Sequence, residues 1–66
     1  MQLTINGETR AFSGVADVAA LVAALGLDTK KVAVERNLEI VPRSAYAKTG
    51  LTDGDRIEIV HFIGGG

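Results

Sequence analysis

MQLTINGETRAF, at residues 1–12, determines most of what can be inferred about the architecture of this chain. Leu3 and Ile5 alternate with polar residues there, which is the period-two pattern of a half-buried β-strand. Asn6-Gly7 follows, and this dipeptide is a strong signal for a β-hairpin, because both central positions of a type I′ turn need positive φ. The segment after the turn is therefore predicted to return as a second, antiparallel strand.

A helix is predicted next, because the spacing of the apolar residues changes. Asp17 is placed to cap its N-terminus, where the carboxylate can accept from free backbone N–H groups. Gly26 stands where a left-handed residue commonly ends a helix. Between them, four apolar residues at i, i+3, i+4 and i+7 share one helical face: Val18, Leu21, Val22 and Leu25.

The rest of the chain is predicted to add strands to the hairpin. Val32–Arg36 has the composition of a strand, and Asn37 indicates a turn before the short apolar run Ile40-Val41. Pro42 ends that run, because proline cannot donate to a strand ladder. Three further segments follow from the same signals: a helical turn with Tyr46 at 44–49, a tight turn at 53–55 and a last strand at 56–62.

This order of elements is typical of the β-grasp, the ubiquitin-like arrangement of the α+β class. We therefore predict one domain over residues 1–62, a mixed sheet of four to five strands crossed by one helix. Residues 63–66 are predicted to form a flexible, glycine-rich tail. The expected placement of the first and last strands as central, parallel neighbours follows from the known fold and not from the residue pattern.

Composition narrows the function classes. With 66 residues, 47% of them apolar, the chain should form one aliphatic core. It has no Cys, so neither a disulfide nor a thiolate site is available. Seven basic residues are scattered among eight acidic ones, which does not favour nucleic acid binding. No signal peptide pattern is present, and no apolar stretch approaches the roughly 18 residues of a membrane span, so we expect a cytoplasmic protein.

Catalytic and metal-binding signatures are not found. His61 lacks a Cys partner, and we interpret it as a strand side chain near the end of the sheet rather than as a contact of a reactive tail. Asp53 and Asp55 flank Gly54, and turn formation explains them better than catalysis or metal binding. We therefore predict no catalytic residue, no metal site and no enzymatic activity.

The glycine triplet is the most unusual feature. Glycines add no packing and cost entropy, so a frayed terminus or a cloning remnant is one explanation. The other is chemical: residues without side chains can enter a narrow active site, with Gly64 and Gly65 recognised and the Gly66 carboxylate reacting. Shortly before the glycine triplet, Val60 and Phe62 should face away from the core. They either form a docking patch or pack beneath a loop or the Tyr46 segment.

Three segments resemble the ThiS family of sulfur carrier proteins of thiamine biosynthesis. They are VAVERNLEIVPRSAY at 32–46, LTDGDRIEIV at 51–60 and FIGGG at 62–66. The resemblance covers essentially the whole chain, and Tyr46 stands where some members have Trp.

The resemblance implies a mechanism and partners. An E1-like adenylating enzyme would use ATP to convert the Gly66 carboxylate to an acyl-adenylate, and sulfur from a cysteine-derived persulfide would displace AMP. The resulting thiocarboxylate would deliver sulfur to thiazole synthase. The chain itself would bind no cofactor, since ATP and the sulfur donor act through the partner enzymes.

Three alternatives stay open on the sequence alone. The small subunit of molybdopterin synthase is a sulfur carrier with the same tail, although such chains tend to be longer. A protein modifier would join Gly66 to a lysine through an isopeptide bond. A plain binding module would have an inert tail.

Overall fold

Five β-strands and one α-helix are formed by residues 1–62, the part of the chain that the computed structural model describes. The elements in chain order are β1 (Gln2–Ile5), β2 (Glu8–Ala11), α1 (Val18–Ala24), β3 (Val32–Arg36), β4 (Glu39–Val41) and β5 (Arg56–His61). Short 3₁₀ helices lie at Thr29–Lys31 and Arg43–Lys48. The predicted tail, residues 63–66, lies outside the described residues.

The strands form one mixed sheet in the order β2-β1-β5-β3-β4. β5 lies at its centre, parallel to β1 and antiparallel to β3. This confirms the predicted β-grasp and the parallel pairing of the first and last strands. None of the helices in residues 1–62 is long and apolar enough to span a bilayer.

Two tight turns rest on asparagine at positive φ. Asn6 has φ 49° and Gly7 has φ 83°, as the predicted hairpin turn requires. The predicted turn at Asn37 is also confirmed, with φ 52°, and Leu38 follows at φ 71°. Asparagine accepts this left-handed conformation more readily than most residues, which explains its presence at both turns.

The helix begins and ends as predicted. The Asp17 carboxylate accepts from Ala20 N at 2.8 Å, which satisfies one of the free donors of the first turn. Leu25 is the C-cap, and Gly26 follows at φ 75°. The buried face of α1 consists of Val18, Leu21 and Val22.

The core lies between α1 and one face of the sheet. Tyr46, on the second 3₁₀ helix, is its single buried aromatic residue among residues 1–62, and its hydroxyl donates to Val32 O at 3.2 Å. Apart from Tyr46, the core side chains are aliphatic, as predicted. They are Leu3, Ile5, Val15, Val18, Leu21, Val22, Val32, Val34, Val41, Ile57 and Ile59.

Candidate functional site at the end of β5

The central strand β5 ends at His61, three residues before the first glycine of the triplet. His61 pairs with Val32 across the sheet, and Phe62 N donates to Lys31 O at 2.7 Å, so β3 holds the chain as far as the last described residue. Gly64, Gly65 and Gly66, the predicted tail residues, lie outside the described part of the chain.

The outward face of β5 is apolar next to this exit point. Val60 is 60% exposed and Phe62 is 48% exposed. The packing alternative is wrong for both residues, because Tyr46 is buried in the core instead of covering them. Val60 and Phe62 are two residues apart in sequence, near and just beyond the end of β5, and exposed apolar side chains matter most where they form part of a larger patch.

Neighbouring strands extend this apolar area. Ala33 lies directly opposite Val60, and Ile40 on β4 is 78% exposed. All three line one shallow depression on the sheet. We call Ala33, Ile40, Val60 and Phe62 the outer apolar surface. Its position beside the exit of the chain makes it a candidate docking surface for a partner that acts on the tail.

Ala33 and Ile40 were not predicted from the sequence as parts of this surface. A usable signal existed for Ile40, because it adjoins Val41 in a strand. Successive side chains of a strand point to opposite faces, so an apolar pair must place one member outward. Val41 is buried against the core, and Ile40 therefore faces solvent.

Two carboxylates border the outer apolar surface. Glu35 and Glu58 are direct cross-strand partners, and both line the same depression. Like charges in opposite positions of a sheet repel each other and reduce its stability. Glu35 and Glu58 therefore place two acidic side chains beside the outer apolar surface.

The start of β5 is stabilised by a different cluster. The Asp55 carboxylate accepts from Arg36 Nε at 2.8 Å, from Asn37 Nδ2 at 3.0 Å and from Thr52 N at 2.8 Å. Burial alone would raise the pKa of Asp55, but the hydrogen bonds from Asn37 and Thr52 and the ion pair with Arg36 outweigh it, so the pKa lies below its ordinary value. Asp55 therefore has a structural role.

The turn interpretation of Asp53 and Asp55 is confirmed. Asp55 N donates to Thr52 O at 3.0 Å across the turn, and Gly54 takes φ 89°. The Asp53 carboxylate accepts from Gln2 N, which fixes the start of β1. Across residues 1–62, no three His, Cys, Asp or Glu side chains lie together as a metal site would require.

His61 lies at the end of β5, as predicted, and is exposed. It borders an open groove beside Leu25 and Leu27, near the C-terminal end of the helix. A general base needs a partner that orients it, and the groove lining offers Arg10 and Asn6 but no carboxylate. The strand position of His61 is as predicted, and a contact with the tail lies outside the described residues.

The structure and the sequence together define a class, the ubiquitin-like β-grasp domain in which a central strand leads past an exposed apolar surface into glycines. Residues 3–66 match the ThiS family, a range that includes the glycines. The chain belongs to the ThiS family.

Relatives and solved structures agree with this membership. The sulfur carrier protein ThiS of Bacillus subtilis is 52% identical over 46 residues, which are 70% of each chain. The crystal structure of the thiamine biosynthesis protein ThiS from Geobacter metallireducens is 38% identical, with a TM-score of 0.84 over 100% of both chains. A thiazole synthase of Paramagnetospirillum magneticum is 62% identical over 66 residues, and the chain spans 20% of its length.

Proposed function

We propose that the chain is a sulfur carrier of thiamine biosynthesis whose Gly66 carboxylate becomes a thiocarboxylate. The observation that supports this most directly is the extent of the family match, which runs from residue 3 through the glycine triplet to residue 66. The Bacillus subtilis relative is itself named a sulfur carrier protein. The exposed apolar surface at the exit of β5 supplies the docking area that such a role needs.

The proposed chemistry begins with activation, because a carboxylate is a poor electrophile. A Gly66 carboxylate oxygen attacks the α-phosphorus of ATP on an E1-like enzyme, and pyrophosphate leaves. The terminal sulfur of a cysteine-derived persulfide then attacks the acyl carbon, and AMP leaves. A thiol cleaves the remaining S–S bond, which releases the thiocarboxylate and leaves a disulfide. The thiocarboxylate sulfur is a nucleophile, as a thiolate is.

In this proposal the chain is a substrate and not an enzyme. It supplies the reacting carboxyl group and a surface, and its partners supply the catalytic groups. Glycines suit this role, since no side chain blocks the approach of phosphate or sulfur to the terminal carbonyl. Because activation requires ATP, we propose that the reaction takes place in the cytoplasm.

We propose that both partners use the outer apolar surface in turn. The adenylating enzyme and thiazole synthase must each bring the same terminal carboxyl group into an active site, so each must bind close to the end of β5. The likeness of this chain to part of a protein named thiazole synthase supports an association with that enzyme. A surface rich in exposed apolar side chains is typical of sites that bind proteins.

Intact-mass analysis tests the proposal. After incubation with the adenylating enzyme, ATP and a sulfur donor, we expect one oxygen of the chain to be replaced by sulfur. Fragmentation should place the sulfur at Gly66. Lysine-linked adducts instead would support the protein-modifier alternative, and an unchanged mass with an active enzyme would support the binding module.

Deletion of Gly66 provides the control. Among residues 1–62, the buried core residues lie between Leu3 and Ile59, so the deletion variant should keep its far-UV circular dichroism spectrum and accept no sulfur. Sulfur transfer by this variant would contradict the assignment of the reacting group. The acceptor of the sulfur distinguishes a carrier of thiamine biosynthesis from a carrier of molybdopterin synthesis. The loaded chain should deliver sulfur to thiazole synthase and not to the large subunit of molybdopterin synthase.

A further inference from the structure

The side chain of Asn6 extends the hydrogen-bond ladder between β1 and β5. Along the main chain, this ladder includes a bond from Asn6 N to Ile57 O at 2.9 Å. At the next position of the ladder, Ile59 bonds to the Asn6 side chain and not to the main chain of β1. Ile59 N donates to Asn6 Oδ1 at 2.7 Å, and Asn6 Nδ2 donates to Ile59 O at 3.2 Å.

The conformation of Asn6 explains this substitution. At φ 49° the main chain turns back into the hairpin, so the residues after Asn6 leave β5. A side-chain amide has an acceptor oxygen and N–H donors, as a peptide group does, and can continue the ladder in its place. Asn6 therefore turns the chain and holds Ile59 at the same time.

Beyond Ile59 the chain is held from the other side of β5. His61 pairs with Val32, and Phe62 N donates to Lys31 O. On the side of β5 that faces the β1–β2 hairpin, Ile59 and His61 border an open groove. Within residues 1–62, the Asn6 amide is thus the last hydrogen-bonding group from the hairpin that reaches β5 before the exit of the chain.

We propose that Asn6 is a positioning residue for the reaction at Gly66. Its amide fixes β5 at Ile59 on the hairpin side and, together with the contacts of β3 on the other side, sets the direction in which the chain leaves the sheet; this inference rests on the proposed sulfur carrier function. Without the amide, the adenylating enzyme must order the strand end as it binds, and the conformational entropy lost weakens binding. The effect should therefore be on KM, with kcat unchanged.

Asn37 offers a matched control. It lies in the turn after β3, and its side chain bonds to Arg56 at the opposite end of β5. It also has positive φ, and its amide also makes two hydrogen bonds, accepting from Arg56 N at 2.9 Å and donating to Asp55 Oδ1 at 3.0 Å. Glycine adopts positive φ without strain. Asn6→Gly and Asn37→Gly therefore each remove one amide with two hydrogen bonds, one near the exit of the chain and one far from it. Asn37→Gly also removes a donor to Asp55, so it controls for a general loss of stability.

The experiment compares the two variants in ATP–pyrophosphate exchange catalysed by the adenylating enzyme. For Asn6→Gly, the loss of two hydrogen bonds corresponds to about a tenfold rise in the KM of the adenylating enzyme for the carrier chain. We expect Asn37→Gly to keep the wild-type KM. Amide hydrogen exchange in the free protein gives a second readout. The Ile59 N–H, which donates to Asn6 Oδ1, should exchange roughly tenfold faster in Asn6→Gly alone.

Equal KM values for the two variants, or unchanged exchange at Ile59, would overturn the proposal. Asn6→Asp keeps the acceptor but lacks the N–H donors, so its KM should be intermediate, and it decides the question if Asn6→Gly does not fold. If the wild-type chain is not adenylated, the proposed function fails. Hydrogen exchange then decides separately whether Asn6 holds the end of β5.

Discussion

Asp55 is the residue in which the sequence and the fold are most tightly linked. Its carboxylate joins Arg36 and Asn37, at and just after the end of β3, to Thr52 in the loop before β5. It is 7% exposed, so an unpaired charge there would be unfavourable. The three donors compensate for the burial, and the folded state therefore favours the ionised form.

Asp55→Asn should lower the free energy of unfolding by about 2 kcal/mol near neutral pH, measured by urea denaturation. An asparagine has one acceptor oxygen, so even if it keeps the bonds from Arg36 and Thr52, its NH₂ group faces the Asn37 donor and the charge that pairs with Arg36 is lost. Asp53→Asn is the control, because Asp53 is exposed and an asparagine oxygen can still accept from Gln2 N. A loss of similar size in the control would contradict a special role for Asp55.

The same residue predicts a pH dependence. Because the pKa of Asp55 is lower in the folded chain than its ordinary value of 3.8, its stabilising contribution is present above that pH and is lost as the pH falls through the folded pKa. The stability difference between wild type and Asp55→Asn should therefore shrink in acid below about pH 3.8. A difference that is constant from neutral pH to pH 2 would show that ionisation is not its cause.

Such side-chain roles could not be predicted from the sequence. The turns at Asn6, Asn37 and Asp55 were predictable, because turn residues act through their own backbone. Their side-chain partners were not, since Asn6 meets Ile59 at a separation of 53 residues and Asn37 meets Asp55 at 18. Periodicity and turn signals describe neighbours along the chain and contain no information on such pairs.

At the scale of the elements, the alternating side chains of β5 contribute to both faces of the sheet. Ile57 and Ile59 pack against the helix side, while Val60 and Phe62 face solvent. This division was predictable, as were the first hairpin and the helix, because each follows from a local period of two or 3.6 residues. The central position of β5 was inferred only from the resemblance to a known fold, since strand order depends on long-range pairing.

The outward face of β5 predicts a separation of binding from stability. Val60→Ser with Phe62→Ser should change the free energy of unfolding by less than about 1 kcal/mol, because both side chains are already exposed. The KM of the adenylating enzyme for the carrier should rise at least about tenfold if they dock centrally. Steady-state kinetics and urea denaturation measure the two effects.

Leu38→Ser is the matched control for docking. Leu38 is 77% exposed but lies in the turn between β3 and β4, away from the end of β5. It should leave both KM and stability close to wild type. If Leu38→Ser weakened binding as much as the double variant, exposed apolar area in general, and not the outer apolar surface, would account for docking.

For the whole molecule, size limits the stability available. A chain of 66 residues buries only about 60% of its unfolded surface, and its free energy of unfolding should be roughly 3–10 kcal/mol. Many small domains are stabilised by disulfides. Within residues 1–62, a single core and the side-chain hydrogen bonds of asparagine and aspartate have that role. The Asp55 cluster lies at the start of β5 and the proposed docking surface near its end, so stability and partner binding can be changed independently.

One substitution on each face of β5 tests whether the molecule unfolds as a single unit. Ile57 is fully buried, and Ile57→Ala should cost about 3 kcal/mol, a large part of the total stability. Val60→Ala on the other face should cost less than about 0.5 kcal/mol, because Val60 is 60% exposed. Both variants should keep the wild-type m-value in urea.

If the domain is one cooperative unit, sulfur loading of Ile57→Ala should follow its folded fraction on heating, although Ile57 does not belong to the outer apolar surface. Val60→Ala should remain folded and show only the KM defect of a docking residue. Equal losses of stability in the two variants would contradict the assignment of the faces. A fall in the m-value of Ile57→Ala would instead mean that the sheet opens in stages, and that the end of β5 can separate from a core that is still folded.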